Sequence, residues 1–478
     1  MKLRDKYNNM AIQAKASIWY TICNFFQKGI SFIVVPIYIR LLTTAEYGQW
    51  TVFQSWRDIL IIFASLNLYA GVYTKTLVDN KDDRDRYTSS MQGLGTLVTL
   101  GLLLIYFFTH EWCNRALGLN TPLMLLLFLY FIVYPAFSFW GTRQRVENRY
   151  RPMVAVTVVV SILTPVVSLL LLRHTQLRTE ALILGYLAVQ CGVGLIFYVY
   201  HFWKGRCFFD AGYWRYALKF NIPLIPHYLS LIVLGQSDRI MIKYFCGESD
   251  AGIYGFAYQI ASVMSIFLSA VNGARVPWAY EQLRSGVYSS LRKVSNALCV
   301  MMGAITLMAA LLSPDIIRII GTADYALATY VIPVVALGVY FTYCYDMFST
   351  VEFYYGETRY VMAASVAGAV LNLILNAVFI PAFGFIAAAY TTLVSYMAFM
   401  VMHYIFMHRV MKKQGIEGEI YDIRFTVLFS CALSALVYVC ILTYRNDLIR
   451  YLLIAALVAG AVVSRDRIMR LARSFKKR

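Results

Sequence analysis

Four ionisable residues lie inside or at the edge of long apolar runs: Lys28, Arg57, Asp58 and Arg275. A charge at the centre of a bilayer costs about 2.5 to 3.5 kcal/mol on insertion scales, so such groups are expected to face protein or water rather than lipid. Amides and hydroxyls accompany them at helical spacing. Thr21, Asn24, Lys28 and Ser31 form one stripe, Gln54, Arg57, Asp58 and Ser65 a second, and Gln259, Ser262, Ser265, Ser269, Asn272 and Arg275 a third. Residues three and four apart share a helix face, so each stripe offers polar groups to a neighbour or to a water-filled space. Two readings are open. Asp58 pairs with Lys28 or Arg57 and holds two helices together, or the positive charge left over attracts an anion. On the second reading Lys28, Arg57, Asp58, Arg275, Asn24, Gln54 and Asn272 form the substrate-binding set. Arg275 equally suits a snorkelling anchor at a helix end. His227 reads as a hydrogen-bonded core residue, and Asp346 and Glu352 as a solvated rim rather than proton or ion carriers.

Other chemistry has little support. The nine cysteines lie mostly in apolar runs, with no C-x-x-C pair and no ligand spacing with the six histidines, so neither a metal nor another cofactor is expected. The cysteines read as small core residues, with one periplasmic disulfide between Cys113 and Cys246 as the alternative. The formal charge of +18 does not point to nucleic acid, because the 43 Lys and Arg residues fall in short clusters between apolar spans. No long loop carries paired carboxylates, as a membrane-embedded polymerase or glycosyltransferase would want, so the chain is not expected to be an enzyme. The longest connection is expected at roughly 276–293.

The elements that must position these residues are membrane helices. Hydrophobic residues make up 60% of the 478, and charged residues only 14%. That composition fits a bilayer and not water. Charge-free runs cover 87–110, 116–142, 152–172, 181–203, 220–237, 251–274, 294–314, 325–345 and 425–444. The uncharged stretch 360–408 is long enough for a helical hairpin, with Pro381 to Gly384 as its turn. Interrupted spans at roughly 16–39 and 49–74 and a short one at roughly 448–464 bring the expected total to about 14. Pro223 and Pro226 should kink the seventh. Lys and Arg alternate between connections, about 32 on one side against about 9 on the other, which places both termini in the cytoplasm.

A short echo links Arg40 to Gly48 with Lys243 to Gly255, each after one apolar span and before another. Spacing of this kind suggests two six-helix halves with a site between them. The expected organisation is a lobe over 1–203, a second over 204–407, and two additional helices with a basic tail over 408–478.

Several segments together carry a family resemblance: Ile37 to Gly48, Tyr216 to Pro226, Ser237 to Ile240, Gly252 to Gly255, Leu371 to Asn376, Ile380-Pro381 and Gly384 to Thr391. In this order they resemble the Wzx-type O-antigen and polysaccharide flippases of the multidrug/oligosaccharidyl-lipid/polysaccharide exporter superfamily. The resemblance implies an all-α, MATE-like two-lobed bundle with a central cavity. It also implies a substrate, an undecaprenyl-pyrophosphate-linked oligosaccharide carried to the periplasmic leaflet of the bacterial inner membrane. Polymerase and chain-length regulator proteins are implied partners. In related flippases of lipid-linked precursors, cationic residues of the first, second and eighth helices face the cavity, where Lys28, Arg57 and Arg275 fall here. Lys28 stands where some relatives have Arg, which keeps the charge but loses the two-pronged guanidinium contact. A peptidoglycan-precursor flippase and a cation-coupled drug exporter of the same fold are the alternatives.

Overall fold

The computed structural model describes residues 10–79 and 82–463, and the regular structure of these residues is entirely helical. The basic residues Lys2, Arg4, Lys6, Lys81 and those from Arg465 onward lie outside the described residues. Twelve helices or helix pairs among the described residues are long and apolar enough to cross a membrane. Two expected spans fall short of that measure for visible reasons. Thr44–Ser65 is interrupted by Arg57 and Asp58, and Asp447–Val463 has 17 residues, about 26 Å of helix against a hydrocarbon core of about 30 Å. Large apolar side chains such as Phe108, Trp112, Ile196, Phe383 and Leu428 stand exposed on the helices. In lipid that is their buried state. The chain is a multi-pass membrane protein.

Two compact units divide the chain: Met1–Tyr38 with Gln49–Gln236, and Ile39–Gly48 with Ser237–Arg478. The first contains α1 (Ile12–Leu41, up to Tyr38), most of α2 (Thr44–Ser65), α3 (Val72–Asp79), α4 (Arg84–Leu117), α5 (Thr121–Val146), α6 (Tyr150–His174), α7 (Arg178–Gly205), α8 (Ala211–Asn221) and the start of α9 (Ile225–Cys246). Helix α7 packs against α4, α5 and α6. Small residues permit it. A Cβ on Gly194 of α7 would lie 2.8 Å from the Val133 carbonyl of α5, the close approach that replaces hydrophobic driving force between membrane helices.

The second span, expected to run to 74, stops at Ser65. Leu66 (φ 48°) and Asn67 (φ 50°) turn the chain in the left-handed region, which is unfavourable for a branched side chain. The surroundings hold it there. Asn221 Nδ2 donates to the carbonyls of Leu66 (3.2 Å) and Asn67 (3.3 Å), and Thr142 Oγ1 donates to that of Tyr69 (3.1 Å). Leu68, Val72, Tyr73, Tyr87, Met91 and Phe139 pack beneath the turn. Between α8 and α9, a 3-10 turn over Ile222–Leu224 breaks the helix at the two prolines, as expected.

The second unit contains the end of α9, α10 (Glu248–Ala261), α11 (Val263–Ser285), α12 (Tyr288–Ile320), α13 (Ala328–Tyr354), α14 (Thr358–Phe383), α15 (Ala387–Lys413), α16 (Ile423–Leu442) and α17 (Asp447–Val463). At its centre, α13 packs against α10, α11, α12, α15 and α16. The long connection expected at 276–293 is helix instead, since α11 runs to Ser285 and α12 starts at Tyr288. The α14–α15 hairpin turns slightly later than Pro381. That proline stays within the last turn of α14, and Gly384 (φ 78°) makes the bend.

Short α17 is docked by charge. Arg450, fully buried, donates to both carboxylate oxygens of Asp315 on α12 (2.8 and 3.1 Å) and to Asp447 (2.8 Å). At the start of α2, Gly48 and Gly252 of α10 fit against each other's helix. A Cβ on Gly48 would lie 1.8 Å from the Glu248 carbonyl oxygen, and one on Gly252 would lie 2.0 Å from that of Thr44. The segments that echo in sequence thus pack together. All nine cysteines are free thiols, Cys113 and Cys246 included, so the disulfide considered for them is absent.

Candidate substrate-binding site

Two adjoining cavities open within the first unit. One, of about 410 Å³, is lined by Arg57, Asp58 and Asn67 together with Tyr69, Tyr130, Tyr134, Tyr186 and Tyr228. The other, of about 430 Å³, lies between α1, α5 and α6 and is lined by Tyr20, Asn24, Gln27, Thr142, Arg145 and Thr157 among others. Tyr69 and Tyr134 belong to both walls.

Helix geometry accounts for the linings. Tyr134, Ser138, Thr142 and Arg145 recur at three and four residues along α5, as do Tyr20, Asn24 and Gln27 along α1. Tyr69 is placed by the left-handed turn after α2. Arg57 Nε and Nη2 both donate to Asp58 Oδ1 (2.9 and 2.6 Å), and the guanidinium lies 4.7 Å from the centre of the Tyr186 ring. Gln236 Nε2 donates to the other oxygen of Asp58 (3.2 Å), while Gln236 Oε1 accepts from Ser55 Oγ (3.3 Å). Of the two partners open to Asp58, the structure selects Arg57. A fixed guanidinium and carboxylate among tyrosine rings offers donors, acceptors and flat apolar faces together, the combination that recognises a ring studded with hydroxyls.

The remaining sequence candidates are scattered. Asn24 lines the second cavity. Lys28, one turn further along α1, is exposed and has no hydrogen-bond or ion-pair partner among the described residues, while Gln54 is half-buried. Arg275 and Asn272 lie in the other unit and bond each other. Arg275 is fully buried, donating to Asn272 Oδ1 (3.1 and 3.2 Å), the Asp346 carbonyl (3.2 Å) and Thr350 Oγ1 (3.2 Å). That placement replaces the snorkelling anchor with an interior position. To meet a ligand, Arg275 must leave these partners. In the same stripe, Ser262, Ser265 and Ser269 bond back to backbone carbonyls three or four residues earlier, which satisfies them locally.

Asp346 and Glu352 are not a solvated rim. Asp346 accepts from Asn272 Nδ2 (2.7 Å), and fully buried Glu352 meets the equally buried His403 Nδ1 at 2.9 Å. A second enclosed network surrounds Asp238, which accepts from Tyr254 (2.6 Å), Asn376 (2.7 Å) and Thr392 (2.8 Å). Among the described residues no group of three or more His, Cys, Asp or Glu gathers as a metal would require.

Sequence reasoning missed Arg145 and the tyrosines. Arg145 lies beyond the charge-free run 116–142, but α5 continues to Val146 and carries it on the helix. The spacing of Tyr134, Ser138, Thr142 and Arg145 was the available signal. The tyrosines converge from the turn after α2 and from α5, α7 and α9, so no one-dimensional pattern joins them.

Residues 14–281 match the family described as polysaccharide biosynthesis protein, and residues 223–378 match MatE. An uncharacterised membrane protein of Haemophilus influenzae is 25% identical over 376 residues, 75% of this chain and 88% of its own. The "Probable low-salt glycan biosynthesis flippase" of Haloferax volcanii is 23% identical over 402 residues, 82% of each chain. Among solved structures, the lipid II flippase MurJ in an inward closed conformation superposes with a TM-score of 0.67 at 16% identity, over 94% of this chain and 100% of that one. An inward-facing multidrug resistance MATE family transporter gives 0.56 at 12% identity, over 82% and 96%. The chain therefore belongs to the polysaccharide biosynthesis protein family and carries the MATE-like fold shared by membrane flippases and exporters.

Proposed function

We propose that this protein is a flippase that moves undecaprenyl-pyrophosphate-linked oligosaccharide, an O-antigen, capsule or exopolysaccharide repeat unit, from the cytoplasmic to the periplasmic leaflet. The observation that carries this reading is the tyrosine-lined cavity holding Arg57 and Asp58 within a bundle of membrane helices. Family membership and the glycan-flippase name of the Haloferax relative support it. The protein acts in the bacterial inner membrane with both termini cytoplasmic, alongside the polymerase and chain-length regulator that use its product. Asn24, Lys28, Gln54, Arg57 and Asp58 contact the headgroup, and Arg275 with Asn272 serves a later stage of the cycle. The lipid tail stays in the bilayer, and the lobes 1–203 and 204–407 are the parts that move as the site is exposed to each face in turn. An inside-negative potential favours outward movement of the anionic headgroup by about 2.3 kcal/mol per charge per 100 mV. No covalent step is involved.

Deleting the gene and measuring lipid-linked oligosaccharide and surface glycan together tests the proposal. Accumulated undecaprenyl-linked repeat units with loss of surface glycan are expected. Unchanged glycan in a strain without a redundant flippase would overturn the reading. Sensitivity to cationic drugs would then favour a drug exporter, and lysis with accumulated peptidoglycan precursor a flippase of that lipid.

A further inference from the structure

We infer that the two cavities of the first unit divide the ligand, with Arg145 binding its diphosphate and the Arg57–Asp58 cavity its sugar. The inference rests on the lipid-linked glycan reading above, and two contrasts within the structure lead to it.

The first contrast is among the arginines near the end of α5. Arg143 pairs with Asp85 and Glu147, Arg84 lies 3.4 Å from Glu147, and Arg149 lies 3.3 Å from Glu147. Arg145 has no acidic partner among the described residues, and it lines the larger cavity. Beside it stand the side-chain amides of Asn24 and Gln27, which have no hydrogen-bond partner among the described residues either. A guanidinium with two free amides supplies donors in the fork geometry that phosphate oxygens accept.

The second contrast is in negative charge. Among the described residues no carboxylate lines the Arg145 cavity, whereas Asp58 lines the other and already holds Arg57. A diphosphate beside Asp58 would meet like charge and a guanidinium already paired. Sugar hydroxyls, which donate and accept, suit that pair instead. Because Tyr69 and Tyr134 wall both cavities, one elongated ligand reaches from phosphate to sugar without crossing a further element.

The same phosphate chemistry belongs to anionic phospholipid and to free phosphate, so the experiment must separate the sources. The full-length protein in phosphatidylcholine nanodiscs is titrated with inorganic pyrophosphate and, separately, with inorganic phosphate by calorimetry. Pyrophosphate is expected to bind at least tenfold more tightly than phosphate. Arg145→Gln should weaken pyrophosphate at least tenfold and Arg145→Lys less. Arg151→Gln, which changes an exposed neighbouring arginine that does not line the cavity, and Arg57→Gln should each change it less than threefold. Thermal unfolding of the same samples checks that each variant is folded. Unchanged pyrophosphate affinity in Arg145→Gln, or equal affinity for the two anions, overturns the assignment. So does an Arg145→Gln protein that keeps pyrophosphate but loses phosphatidylglycerol retained from the membrane, since the arginine then serves a bilayer lipid. Arg145-dependent pyrophosphate binding beside unchanged glycan in the deletion strain would leave this site standing and remove the flippase reading. Lost glycan beside wild-type pyrophosphate binding in Arg145→Gln would do the reverse.

Discussion

In the first unit, Arg57 and Asp58 meet beside a cavity of about 410 Å³, and Arg145 faces another with no acidic partner among the described residues. In the second unit, Asp238 is enclosed by three donors, Glu352 is sealed against His403, and Arg450 is locked to Asp315 and Asp447. The residue types are much the same. What differs is the room beside them. A polar network enclosed on every side fixes the packing of its helices, even where single atoms such as Glu352 Oε2 and Arg450 Nε have no hydrogen-bond partner among the described residues, whereas one beside open space has capacity for a ligand. The polar groups of the first unit accordingly read as recognition, and most of those in the second as architecture.

Substitutions can break or sharpen this contrast. The largest effect on stability is expected from Asp315→Ala, which leaves the Arg450 guanidinium buried with half its neutralising charge gone. Breaking such a pair costs about 3–5 kcal/mol, visible as a lower unfolding temperature in detergent. Asp238→Ala should follow, because each donor orphaned on Tyr254, Asn376 and Thr392 costs about 1–3 kcal/mol, less than additively. Arg57→Gln, at the edge of a cavity, should cost no more than about 1–2 kcal/mol in stability, yet lower surface glycan at least tenfold. Lys28→Ala should leave the unfolding temperature unchanged and reduce glycan only partly. If Arg57→Gln proved as destabilising as Asp315→Ala, with export preserved in the folded fraction, the first unit would be architecture as well.

Much of the fold was legible because the bilayer enforces it. A spanning segment must satisfy its own backbone and present apolar side chains, so charge-free runs of adequate length mark helices directly. The proline break before α9 and the α14–α15 hairpin were readable for the same reason. The end of α2 was not. Leu66 carries no turn signature and Asn67 alone is a weak one, and their left-handed backbone is sustained by Asn221 and Thr142, distant in sequence. Arg57, Asp58 and Asn24 could be picked out because a polar residue in an apolar run is conspicuous. Arg145 lies among other arginines at the end of α5, where only its spacing from Tyr134, Ser138 and Thr142 marks it, and the tyrosines lie among other aromatics, from which only the third dimension separates them. The reverse error occurred at Glu352, where proximity to a helix end suggested solvent and a histidine 51 residues later encloses it.

The contact between Gly48 and Gly252 has a property that neither helix has alone. Thr44 faces Gly252 as Glu248 faces Gly48, so exchanging the two segments returns the same pair of contacts. That reciprocity is the rule of an isologous dimer interface, here written twice into one chain. In the present chain a side chain added at either glycine would push apart the same two backbones, so a change at one position also breaks the contact made by the other.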